Sequence, residues 1–490
     1  MRNVWNAALW LIVAAVFVSV LFADFLPAPF GGYASQRFIL AGLLTAVVSL
    51  SAVVLLCQGS RVALIRIGPL VPVAGGFIVL ALPFRDGLYI WAEPVMYAAF
   101  FLGFVLLGNL SEKRVQKHHW VVVLVYIGAA TAAFYGSATI TVYLFALSDQ
   151  VTGLSDYIPW GFVNIRYWSH IATWLLPILP LAILVGPLKD ERLWRFFVAL
   201  GAALWWWVEF LSMSRGSMMG IAFGVVLAAI LMGRPALPWL RVFVRYLAYG
   251  VLAWLLLSVI IPSLWLDEVS VRSLNTTSSG RMPLFIEAWR MSLENFPFGM
   301  GPQSWLTHDI LTEEYQRPPK FGHPHNMYLM WAAEYGWLLI GALLLLAGQA
   351  MRLFWQRRAE VRAGDHNELA LPLAAFTASV SAALLHAGVS AVFMAPGSML
   401  IGFLVLSVFW ALITPETVPV KPKHPKRRLA AAGVAALVVG TLCVYWFSEV
   451  REYHQAMESD QQFYQQNVPA GTLPRFWFHG NFPRHPDQMP

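Results

Sequence analysis

Cysteine is almost missing from this chain. Only Cys57 and Cys443 occur among 490 residues, both in apolar stretches, which excludes a disulfide framework or a thiolate metal centre. Charge is scarce too. Only 12% of residues are charged, against about 25% in a soluble domain, so an ordinary water-soluble fold is excluded. There is no DxD, no HExxH and no acidic cluster at metal-ligand spacing, so no metal site is expected. Alternating ten-residue strands are missing, which excludes an outer-membrane barrel. There are no internal repeats and no low-complexity tracts.

What remains is mostly apolar. The chain is 58% hydrophobic, with runs long enough to cross a bilayer along its whole length. Candidate spans fall near 6–27, 38–57, 67–84, 90–109, 119–146, 169–187, 194–213, 216–233, 246–264, 327–350, 369–393, 396–413 and 429–447. The expectation is an all-α polytopic integral membrane protein of about 12–13 transmembrane helices. The first span is too long for a signal peptide and lacks a clear cleavage site, so it reads as an uncleaved helix.

The net charge of +7 does not suggest nucleic acid, because the positive residues are sorted by loop. Of the 33 lysines and arginines, 21 fall on alternate loops. They include Arg61 and Arg66, Lys113, Arg114 and Lys117, and Lys421, Lys423, Lys426, Arg427 and Arg428. The positive-inside rule makes these loops and the N-terminus cytoplasmic. The other face carries Arg166, Arg215, Arg281 and Arg290 among its arginines, and arginine suits phosphate oxygens. Arginine outnumbers lysine throughout the chain, so the bias alone identifies no ligand.

The chain divides into N-terminal spans (1–264), a long outer loop (265–325), C-terminal spans (326–447) and a polar, proline-rich outer tail (448–490), read as irregular. Within the loop, "SGRMPLFIEAWRMSLENF" shows apolar residues at helical spacing, so the loop should be helical in part. "FPFGMGPQSW" reads as a tight turn.

Four clusters on the outer face are candidates for chemistry. Arg215 in "SMSRGSMMG" lies between two apolar segments, where a charge points to function or simply snorkels at a helix end. Arg281 follows a Ser/Gly turn and could equally be a surface residue. Gly299 and Gly301 in "FGMGP" would let backbone approach a ligand, or form a plain turn. "HPHN" places His323, Pro324, His325 and Asn326 at the mouth of a hydrophobic helix. The positive helix end disfavours imidazolium, so His325 should stay neutral and able to accept a proton. Asn326 suits a helix cap, and His323 a supporting polar role.

Together these residues fit one chemistry. Arginines can neutralise a diphosphate without a metal, and a diphosphate leaves readily. The remaining need is a base for an acceptor hydroxyl, which His325 supplies. The reading is sugar transfer from a lipid-linked diphosphate.

The order "SRG", "SGR…AW…FPFGMGP", then "HPHN…EYG" resembles the bacterial O-antigen ligase, polymerase and O-oligosaccharyltransferase superfamily over 215–341. The family pattern continues from Asn326 through nine residues to Gly336; Leu339 departs from it. The resemblance implies a C-type membrane glycosyltransferase of the inner membrane, inverting and metal-independent, with a periplasmic site and no cofactor. His325 would be its essential histidine, and Arg215 and Arg281 its diphosphate ligands. Asn326, His323, Gly299, Gly301, Arg166 and Arg290 would support them. The donor would be an undecaprenyl-diphosphate-linked glycan. The short tail favours a ligase acting on lipid A–core over an O-oligosaccharyltransferase. A polymerase uses the same donor. A transporter is the rival from another class, for which Glu93, Glu209 and His386 are the ionisable candidates inside spans.

Overall fold

The structure, a computed structural model, describes residues 2–27, 30–58, 68, 70–110, 114–151, 153–154, 157–162, 165–266, 269, 280–316, 321–416, 425–467 and 475–476. Arg61, Arg66, Lys113, Lys421 and Lys423, used above for orientation, lie outside the described residues.

The described chain is helical, with one isolated antiparallel bridge, between Phe298 and Gly336. The long helices are α1 (Arg2–Leu21), α2 (Gly32–Gln58), α3 (Leu70–Ala81), α4 (Ala92–Leu110), α5 (Arg114–Ser148), α6 (Ile165–Leu175) and α7 (Arg192–Ser212). They continue with α8 (Arg215–Met232), α9 (Leu237–Trp254), α10 (Arg281–Glu294), α11 (Met327–Ala363), α12 (Ala370–Ala387), α13 (Pro396–Ile413) and α14 (Pro425–Asn467). Ten helical stretches among the described residues are long and apolar enough to cross a membrane, and two shorter apolar helices accompany them. This is a polytopic membrane protein.

Where the elements differ from the sequence reading, the causes are local. The expected span at 169–187 is an eleven-residue α6 followed by a 3-10 turn over Leu179–Ile183. Pro177 and Pro180 remove the amide donors a longer helix would need. The largest difference is at the C-terminus. The segment after 447, read as an irregular tail, continues α14 as one helix to Asn467, and Arg475 and Phe476 are buried. "SEVREYHQAMESDQQFYQQN" holds no proline or glycine, so nothing in it breaks a helix.

Helix α13 is the buried centre; it carries no charge and is apolar on every side, as a fully enclosed helix must be. Its polar groups are satisfied within the bundle: Ser398 accepts from Trp174 Nε1 (3.1 Å), and Ser407 donates to the Phe403 carbonyl (2.7 Å). Helices α8 and α12 touch backbone to backbone. A Cβ on Gly220 or Gly224 would lie 2.6 Å or 2.1 Å from the Ala382 or Ala378 carbonyl oxygen. Small residues four apart allow this close crossing, and it fixes the head of α8, where Arg215 sits. Aromatic side chains lock α3, α4 and α11 together, with the Phe77 ring 4.9 Å from Tyr335 and 5.1 Å from Tyr97.

Candidate active site

Four helices begin at the end of the bundle that carries the described loop residues 280–316 and 321–325, the loop face. Arg215 is the first residue of α8, Arg281 the first of α10 and Arg166 the second of α6, while His325 lies two residues before α11. These side chains share one electrostatic neighbourhood. Burial lowers the Arg281 pKa from its usual value, and the charges of Arg166 and Arg215 lower it further. Burial likewise depresses the His325 imidazole, to about 3, with Arg281, Arg166 and His170 adding to the effect. Arg281 and Arg166 therefore lie near the neutral imidazole, and Arg215 joins them through Arg281, at a face where four helices begin, an arrangement that favours an anion.

The local geometry holds His325 firmly. Its backbone is left-handed (φ 57°), a conformation that costs most residues about 1 kcal/mol or more. Its N–H donates to His323 Nδ1 at 3.0 Å, so neutral His323 carries its proton on Nε2. The two rings meet edge to face at 4.3 Å, with Phe321 5.2 Å from His325 on another side. Buried Nδ1 of His325 has no hydrogen-bond partner among the described residues. Asn326 is the cap: its Oδ1 accepts from the Leu329 amide at 3.0 Å.

Arg281 Nη1 donates to the Val389 carbonyl at 3.0 Å, tying the loop helix α10 to the turn after α12. The loop itself is pinned by Glu287, which is fully buried. Its carboxylate accepts from His308 Nε2 (2.9 Å), the Leu311 amide (2.7 Å) and the Thr312 hydroxyl.

Two expectations are corrected. Gly299 and Gly301 face protein rather than an open site. A Cβ on Gly299 would lie 2.2 Å from the Glu334 carbonyl, and one on Gly301 2.8 Å from the Phe84 ring. These glycines let the loop lie against α11, where Met300 N donates to Ala333 O (2.9 Å) and Gly301 N to Glu334 O (3.0 Å). Gly336, at φ 81° and ψ 175°, breaks α11 there and frees those carbonyls. Arg290 is not brought to the cluster. Nine residues after Arg281, it lies about half a turn round the helix and roughly 13 Å along it.

Sequence reasoning missed the polar layer beneath the arginines. His170 Nε2 and Ser390 Oγ are 2.7 Å apart, Thr173 Oγ1 bonds His386 Nδ1 (2.9 Å) and Ser217 Oγ (2.8 Å), and Ser214 donates to Ser169 (2.9 Å). His170 follows Arg166 by four residues, on the same helix face, which was a usable signal. His386 is drawn in from a distant segment, and no local pattern marks its role.

Residues 200–346 match the Wzy_C family model, described as O-antigen ligase. Over that stretch the chain is similar to the O-antigen ligase family. No curated protein and no solved structure matches the chain. The family segment begins in α7 and ends in α11, so it contains Arg215, Arg281, the loop glycines and His325. Arg166, His170 and His386 come from outside it.

Proposed function

We propose that the protein is an O-antigen ligase that moves O-antigen polysaccharide from undecaprenyl diphosphate to a hydroxyl of lipid A–core, at the periplasmic face of the inner membrane. The observation that carries this reading is the electrostatic grouping of Arg281 with Arg166 and Arg215, and of His325 with Arg281 and Arg166, where four helices begin. Planar guanidinium forks and free helix amides suit the oxygens of a diphosphate.

In the reaction, the acceptor hydroxyl oxygen attacks the anomeric carbon of the donor sugar. The bond from that carbon to the diphosphate oxygen breaks, and undecaprenyl diphosphate leaves. The hydroxyl proton passes to the His325 imidazole. Attack opposite the leaving group inverts the anomeric centre. The arginines balance the charge that builds on the diphosphate as it departs, so this reading assigns no step to a metal ion.

The test supplies purified protein with undecaprenyl-linked glycan and lipid A–core, together and then each alone. A ligase forms product only with both. Longer glycan from donor alone marks a polymerase, and transfer to protein an O-oligosaccharyltransferase. Movement of donor across a vesicle without a covalent product marks a transporter.

A further inference from the structure

We propose that Arg475, in the C-terminal segment, is a positioning residue for the His325 site. The proposal rests on the functional reading above. Because of the break at Gly336, Met327–Tyr335 forms a short half-helix, with His325 and Asn326 at its head and Glu334 near its far end. Glu334 is where that half-helix is held. Its carboxylate accepts from Arg475 Nη1 (2.6 Å) and Nη2 (2.9 Å) and from the Trp305 amide (3.3 Å), and its carbonyl accepts from Gly301.

The other edge of the same guanidinium grips Glu93 on α4, at 3.0 Å from Nε and 2.5 Å from Nη2. All three side chains are buried. Beside it, Phe476 lies under the Arg37 guanidinium (4.8 Å) and against the Tyr453 ring of α14 (5.9 Å). One residue far along the chain thus clamps the histidine-bearing half-helix, and through it the glycine loop, to the rigid bundle. Removing the cation leaves two buried carboxylates close together, which repel or take up a proton. Either outcome loosens the far end of the half-helix and misplaces His325.

The experiment compares the full-length protein with Arg475→Ala, Arg475→Lys, Glu334→Gln and Glu93→Gln in nanodiscs. We expect Arg475→Ala to lower kcat about tenfold to a hundredfold, the scale of a small misplacement of a reacting group, while donor affinity stays native. Arg475→Lys should recover part of the loss, since lysine restores the charge but not the fork. Glu334→Gln should resemble Arg475→Ala, and Glu93→Gln should lose less. In hydrogen exchange, the amides of 298–306 and 327–335 should exchange faster in Arg475→Ala, with α8 and α12 unchanged.

Native kcat in Arg475→Ala overturns the proposal. So does a loss of donor binding and folded fraction in step with kcat, which marks a general structural role. If Arg475→Ala does not fold, Arg475→Lys and Glu334→Gln carry the same comparison. If the unmodified protein transfers no glycan, the functional reading falls, and exchange alone decides the clamp: unchanged rates at 327–335 overturn it and faster rates sustain it.

Discussion

Burial, with Arg281, Arg166 and His170 adding to it, pushes the His325 imidazole down to about 3. An imidazole this acidic is neutral at ordinary pH but a weak base. A bound diphosphate would offset the arginines' share of the shift and raise that pKa, while burial continues to hold it down. The proton-accepting form is present above the pKa and lost as pH falls through it. The acid limb of kcat, which reports the substrate complex, should therefore lie at higher pH than that of kcat/KM, which reports the free protein. Coincident limbs would show that donor charge does not tune the base. His325→Ala should lower turnover by about 10²–10⁴-fold with donor binding kept; normal turnover removes the assignment. Arg215→Ala and Arg281→Ala should each weaken donor binding by about 1.5–3 kcal/mol, with lysine a partial substitute, while Arg290→Ala should bind donor normally. Titration calorimetry with the donor lipid separates the three. The helix-start positions of His325, Asn326 and Arg215 were readable because an apolar run follows each, and that of Arg281 because a Ser/Gly turn precedes it. The place of His386 was not, because its hydrogen bond with Thr173 spans 213 positions, whereas His170 carried a local signal four residues after Arg166.

At the scale of elements, α11 is two helices joined at a break, and the loop glycines exist to meet that break. Gly299→Ala should place a methyl against the Glu334 carbonyl and lower stability by about 1–3 kcal/mol. Thermal unfolding in detergent measures this, and an unchanged midpoint would mean the loop can shift without cost. The spans themselves were readable from hydropathy, since a membrane core admits little besides helices. The break was not, because glycine is also common in unbroken membrane helices. The "FGMGP" glycines gave a correct signal of close approach, but the approaching partner is the α11 backbone.

At the scale of the molecule, the site gathers α6, α8, α10 and α11 at one end of the bundle, and its positive charge is built into the protein. Transfer should therefore survive a chelator, assayed with both lipid substrates; a lasting loss restored by a divalent ion would overturn the arginine-only account of the leaving group. The polar composition after residue 447 pointed to solvent, yet Arg475 is buried because Glu93 and Glu334 offer it two carboxylates. A burial created by partners hundreds of residues away leaves no local trace in composition or periodicity.

The bond pattern at the α11 break bears on how substrate arrives. The loop satisfies carbonyl and amide groups that the interrupted helix leaves open, through Met300, Gly301 and Pro297. Lifting it away would strand those groups near the apolar interior, at a cost of about 1–3 kcal/mol for each. A loop fastened in this way stays seated on α11 while the lipid substrates of the proposed reaction come and go.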